Sequence, residues 1–140
     1  MLIVVVLDTN VLVSGLLNPN GSPGKILDLI IGGQIQVAYD DRILGEYEDV
    51  LSHPELHIRP SQAFAVIGHI ELSGKYMTAE SLPTAGYPDP DDIMFAEVLI
   101  ASNANALVIG NLRHYNPLVQ RKMPVLSPVQ FLEKYFPAQG

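Results

Sequence analysis

Four oxygen-bearing side chains, Asp8, Glu46, Asp92 and Asn111, stand where an α/β chain gathers its chemistry. Asp8 ends the run LIVVVL, whose mostly β-branched residues read as a strand buried on both faces. In open α/β sheets ligands bind beyond the carboxyl ends of such strands. Glu46 flanks the apolar face made by Ile43, Leu44, Tyr47, Val50 and Leu51 of a predicted helix, with Glu48 and Asp49 farther round. Asp92 closes the acidic run Asp89-Pro90-Asp91-Asp92 and falls in the first turn of the helix that follows, and Asn111 follows the apolar Leu107-Val108-Ile109. Carboxylates brought together repel, and burying one unpaired is costly. A hard divalent cation relieves both problems, and oxygen ligation suits Mg²⁺ or Mn²⁺. Each residue also has a plain structural role. Asp8 can cap the helix starting near Val11, Asp92 can reach back to its own helix N-terminus, and Asn111 can form a turn. Asp89 and Asp91 read first as N-cap and helix-dipole partner.

The elements that must position these groups alternate. After the first strand, Asn18 to Gly24 reads as a turn-rich loop, and Lys25 to Ile31 as a short helix stopped by Gly32-Gly33. Ile35 to Tyr39 is a second strand, and Asp40 or Asp41 caps a helix from Arg42 to Ser52 that Pro54 ends. Ser61 to Lys75 is expected to be helical, with Phe64, Ile67 and Leu72 among its apolar positions, and a short strand is expected over Tyr76 to Ala79. Asp89 at the N-cap and Pro90 at the first helical position open a helix that is apolar nearly all round. Leu107 to Ile109 and Val125-Leu126 are further strands around the polar connection Leu112 to Met123, and Pro128 opens a last helix. Alternation of this kind predicts an α/β fold, a three-layer α/β/α sandwich around a central, mostly parallel sheet of about four or five strands. Residues 1–136 read as a single domain and 137–140 as a loose C-terminal tail.

At 140 residues the chain is long enough to bury a core without staples, and its lack of cysteine excludes thiolate metal sites and thiol nucleophiles. The net charge of −7 argues against tight non-specific nucleic-acid binding, but not against acids that hold metal ions. The basic residues available to guide RNA are Arg113, Arg121 and Lys122, with His114 nearby. His53 and His57 have a zinc-like spacing, yet Pro54 lies between them and no third ligand is evident. Tyr39, Tyr47 and Phe95 read as core residues. No cationic leader precedes Leu2 and no apolar run is long enough to span a bilayer, so a soluble, cytoplasmic protein with no membrane partner is expected.

In LDTNVLVSGLL, RILGEYEDVLSHPEL and DPDDIMFAEVLIASNANALVIGN, taken in that order, the chain resembles the PIN-domain family. That is the fold of the VapC-type toxins of toxin–antitoxin pairs and of related metal-dependent ribonucleases. The resemblance implies that Asp8, Glu46 and Asp92 are the catalytic acids, that Asn10 orients the site by hydrogen bonds, and that Ser14, one helical turn on, and Asp89 support it. Where the family pattern reads Val-Thr-Gly-Asp, this chain has Val108-Ile109-Gly110-Asn111, and an amide oxygen can ligate a metal but brings no charge. It implies Mg²⁺ or Mn²⁺ on Asp8, Glu46, Asp92 and Asn111 activating water to hydrolyse an RNA phosphodiester, leaving 5′-phosphate and 3′-hydroxyl ends. A small antitoxin and a second copy of the chain are the implied partners. A weakened or inactive PIN domain that binds RNA or protein is the alternative. A phosphoacceptor receiver fits less well, because no lysine follows a late strand where one is required and no Gly-rich phosphate loop is present.

Overall fold

The computed structural model describes residues 2–83, 86–87 and 89–137, apart from the side chains of Leu112 and Arg113. Its elements run β1 (Ile3–Leu7), α1 (Thr9–Leu17), α2 (Ser22–Ile31), β2 (Ile35–Tyr39), α3 (Asp41–Leu51), α4 (Pro60–Ser73), β3 (Lys75–Tyr76), α5 (Ile93–Ser102), β4 (Ala106–Val108), α6 (Asn116–Gln120), β5 (Val125–Leu126) and α7 (Pro128–Tyr135). The five strands form one parallel sheet in the order β3-β2-β1-β4-β5. Successive strand residues point to opposite faces. Val5, Val6 and Leu7 are all 0% exposed, so both faces of β1 are covered. Helix α2 packs on β2 and α7, α7 covers β4 and β5, and α5 crosses β1, β2 and β4. This is the three-layer α/β/α sandwich that the alternating pattern predicts.

The strand order places the site. From β1 the chain steps outward to β2 and β3, then returns to the other side of β1 for β4 and β5. The reversal falls between β1 and β4, where Leu7 is in register with Val108 and the Asp8 N–H donates to the Val108 carbonyl at 3.0 Å. A crevice opens beyond the strand ends at such a switch point. Asp8 stands on its rim.

Local departures from the sequence reading have identifiable causes. Helix α2 begins at Ser22 rather than Lys25, because Pro23 sits in the first turn, where its missing N–H has no partner to lose. Gly24 lets Pro19 approach so closely that a Cβ there would lie 2.1 Å from the Pro19 carbonyl oxygen. Helix α4 stops at Ser73, and Lys75 belongs to β3, whose pairing ends with the Met77 N–H on the Tyr39 carbonyl. Its inward residues are Val66 and Ile70, whereas Phe64 and Leu72 are 83% and 90% exposed. Strand β4 runs one residue earlier than expected. Tyr39, Tyr47 and Phe95 are buried, as their reading as core residues requires.

One polar network ties the helical layer together. Asp40 caps α3 by accepting the Ile43 N–H at 3.0 Å, and its other oxygen takes Arg42 Nε and Nη2 at 2.9 and 2.7 Å. The same guanidinium reaches Glu97 on α5 at 2.6 Å, and Glu97 also accepts the Leu82 N–H. Both carboxylates are buried, so one arginine compensates two charges that water cannot reach. Arg42→Ala should therefore destabilise the fold by about 3 kcal/mol, roughly 10 °C in Tm, in a thermal melt at neutral pH. A change within 1 or 2 °C, roughly what an exposed side chain gives, would show that the pairs contribute little.

Candidate functional site

Asp8 lies in the first turn after β1 and is 4% exposed. Its Oδ1 accepts the Asn10 N–H at 3.0 Å, so it does cap α1. Its Oδ2 accepts the hydroxyl of Tyr115 at 2.9 Å, across 107 positions of sequence. A mere cap needs no second partner of this kind. Burial pushes the Asp8 carboxyl above its ordinary value, the two hydrogen bonds and the nearby His114 pull it back, and the charge of Asp89 pushes it up again. Burial and the neighbouring charge of Asp8 hold the Tyr115 phenol far above its usual range, so it stays a donor.

Asp92 stands at the start of α5, after a 3-10 turn over Pro90–Asp92. Asp89 is the N-cap of that turn, accepting the Asp91 N–H, rather than of α5 itself. The Asp92 side chain makes no capping bond, which removes the plain structural role open to it. Its Oδ2 is buried and accepts no hydrogen bond of acceptable geometry, although His114 Nδ1 approaches to 2.9 Å. Burial and the charge of Asp8 raise the Asp92 pKa to about 6, against the pull of His114.

Glu46 is half-buried on α3, and its Oε2 accepts the Thr9 hydroxyl at 3.3 Å. Burial raises its pKa, the Thr9 bond opposes this, and the charges of Asp91, Asp49 and Asp8 add to the rise. It lines a cleft of about 430 Å³ together with Arg42, Asp49, Asp91 and Met94. Asp8, Glu46 and Asp92 thus form one field in which Asp8 unsettles both of the others. Among the described residues, no three acids or histidines converge on a single point as a ligand cage. The donor set nonetheless fits a hard divalent cation. It consists of carboxylate oxygens, the charge of Asp8 disfavours those of Glu46 and Asp92, and the buried Asp92 Oδ2 has only the His114 imidazole against it.

The remaining sequence candidates divide. Asn10 is exposed on α1, and its Cβ lies 3.9 Å from where a Cβ on Gly110 would stand, beside Asn111 at the end of β4. Asn111 is exposed, and its carbonyl accepts the His114 N–H. Ser14 is exposed on the same helix as Asn10. Asp89 bears electrostatically on both Asp8 and Asp92. Arg121 and Lys122 are exposed after α6, and the charge of Arg121 is felt at Tyr87 rather than at the three acids. The Arg113 side chain lies outside the described residues. His53 turns to Asp49 and Glu55 instead of joining His57. Sequence reasoning missed Tyr115 and Thr9 as partners of the acids and placed His114 among RNA guides. The signal for Tyr115 was a tyrosine in an otherwise polar connection shortly after a buried strand.

A sequence profile described as PIN domain matches residues 4–113, from β1 past β4 and over every acid named above. The chain belongs to the PIN-domain family. A relative of this PIN domain, the uncharacterised protein MJ1680 of Methanocaldococcus jannaschii, is 30% identical over 147 residues, covering 94% of this chain and 90% of that protein. Its fold is also that of a chain in the crystal structure of VapBC2 from Rickettsia felis bound to a DNA fragment from its promoter. That likeness has a TM-score of 0.54 at 17% identity, over 89% of this chain and 98% of the other. It shows a common fold.

The raised Asp92 pKa makes a prediction about stability. Unfolded, the group titrates near 3.8; folded, it titrates at about 6. The folded state therefore binds the proton more tightly between those values, and stability falls as pH rises through that window and stays lowered above it. Asp92→Asn should raise the Tm at pH 7.5 in chelator by about 3 °C or more, with a smaller gain at pH 5. A gain confined to pH 5 would contradict the assignment.

Proposed function

We propose that this PIN domain is a metal-dependent endoribonuclease and the toxin half of a toxin–antitoxin pair. The observation that carries the reading is the field of Asp8, Glu46 and Asp92 at the switch point, in which each carboxylate is less willing to be charged than it would be in water. Such a cluster is poised for a cation. Mg²⁺ or Mn²⁺, when bound there, supplies Lewis-acid activation of water and neutralises charge at the phosphodiester. Asp8 and Asp92 would hold it, with Glu46 from α3 and the amide oxygen of Asn111 completing the donor set. Asn10, Ser14 and Asp89 would support the acids from α1 and the turn before α5, and Arg121 and Lys122, with Arg113, would be the cations available to RNA phosphates. A small antitoxin and a second copy of the chain are the proposed protein partners, and the cytoplasm the proposed compartment. The VapBC2 fold supports the toxin reading.

A second reading is a PIN domain that binds RNA or protein without cutting, favoured by Asn111 where a further acid would add charge. One experiment separates the two. Purified protein is incubated with a mixed single-stranded RNA pool in Mn²⁺, Mg²⁺ or chelator, beside Asp8→Asn and Asn111→Asp. The nuclease reading expects metal-dependent cleavage that falls at least about a hundredfold in Asp8→Asn, and a rate in Asn111→Asp equal to or above wild type. Cleavage that survives chelator or Asp8→Asn would overturn it. No cleavage by either the wild type or Asn111→Asp would favour the binding module.

A further inference from the structure

Tyr115 is fully buried at the end of a 3-10 turn, Leu112–Tyr115, that follows β4. Phenylalanine would fill the same space. A hydroxyl at such a place costs free energy unless it finds a partner, and here its partner is the Asp8 carboxylate at 2.9 Å. The other Asp8 oxygen is already held by the Asn10 N–H at 3.0 Å. A planar carboxylate gripped at both oxygens has one orientation, and each oxygen keeps a further lone pair for another ligand. A second buried tyrosine, Tyr47, donates to the backbone carbonyl of Leu7 and not to the carboxylate.

We propose that Tyr115 is a positioning residue for the metal site, its hydroxyl fixing the Asp8 carboxylate in the orientation that binds a divalent cation. The inference rests on the nuclease reading of Asp8, and it concerns ligand geometry instead of the hydrolytic step. Groups that orient a ligand through hydrogen bonds change metal affinity by about ten- to a hundredfold when removed. A residue that only fills the core would change the melting temperature and leave affinity alone.

The test is Mn²⁺ calorimetry on the wild type, Tyr115→Phe, Tyr47→Phe and Asp8→Asn. The expected result is Asp8-dependent binding that weakens about tenfold in Tyr115→Phe and is unchanged within error in Tyr47→Phe. Wild-type affinity in Tyr115→Phe, or equal losses in the two tyrosine variants, overturns the inference and leaves the metal site standing. If the wild type and Asp8→Asn titrate alike, the metal site itself fails, and the inference with it. Should Tyr115→Phe not fold, wild-type protein labelled at tyrosine Cζ is titrated with Mg²⁺ by NMR. The Tyr115 resonance should move with the midpoint of a Mg²⁺ calorimetric titration of the same protein, and a resonance that does not respond overturns the inference.

Discussion

The structure depends on a carboxylate held where charge is disfavoured. Asp8 follows the central strand of a parallel sheet, so it is pressed against the core on one side and faces the crevice on the other. Two hydrogen bonds and the approach of His114 oppose the rise that burial imposes on it. Every other acid in the cluster is measured against it, since its charge appears among the causes that raise both Glu46 and Asp92. A buried group of this kind is a liability to folding and an asset to cation binding for the same electrostatic reason.

Sheet topology brings together what the sequence holds far apart. Because β4 pairs with β1, the turn after β4 delivers Tyr115 to Asp8, 107 positions away in sequence, and sets His114 against Asp92. Helix α5 begins beside the same strand ends and has Asp92 immediately before its first residue, while α3 carries Glu46 one turn beyond Arg42. The Arg42 clamp on Asp40 and Glu97 sets α3 against α5. Positions of the acids are thus a consequence of strand order and one ion-pair network.

Much of this was legible in the sequence, and the exceptions are instructive. The β-branched run ending in Asp8 had to be a central strand, and the Asp-Pro-Asp-Asp run before an all-round apolar segment had to start a buried helix; both did. Helix α4 was expected, but Phe64 and Leu72 are large and apolar and face outward, so composition alone does not identify its inner side. Pro23-Gly24 misled because both residues usually break helices, though Pro is tolerated in a first turn. Tyr115, Thr9 and Glu97 could not be assigned, because their partners are long-range and nothing in local spacing marks a hydroxyl or carboxylate as destined for one acid or arginine. Periodicity reports which face is inside. It does not report which polar atoms meet there.

The distribution of positive charge carries the argument further. Arg42 shares a cleft with Glu46 and Asp91, and a guanidinium turned toward them would relieve their repulsion and stabilise the fold. Instead it is taken up by the buried carboxylates of Asp40 and Glu97, whose other partners are neutral backbone N–H groups. Among the described residues, the basic group that bears on both Asp8 and Asp92 is His114. A chain selected for stability alone would have neutralised this rim, since a fixed cation there removes the penalty permanently. With the guanidinium held on the structural acids, the charge of Asp8 still weighs on Asp92 at the rim. The net charge of −7 belongs to the whole chain; at the rim, a divalent cation, where one binds, would reverse the local sign of the field.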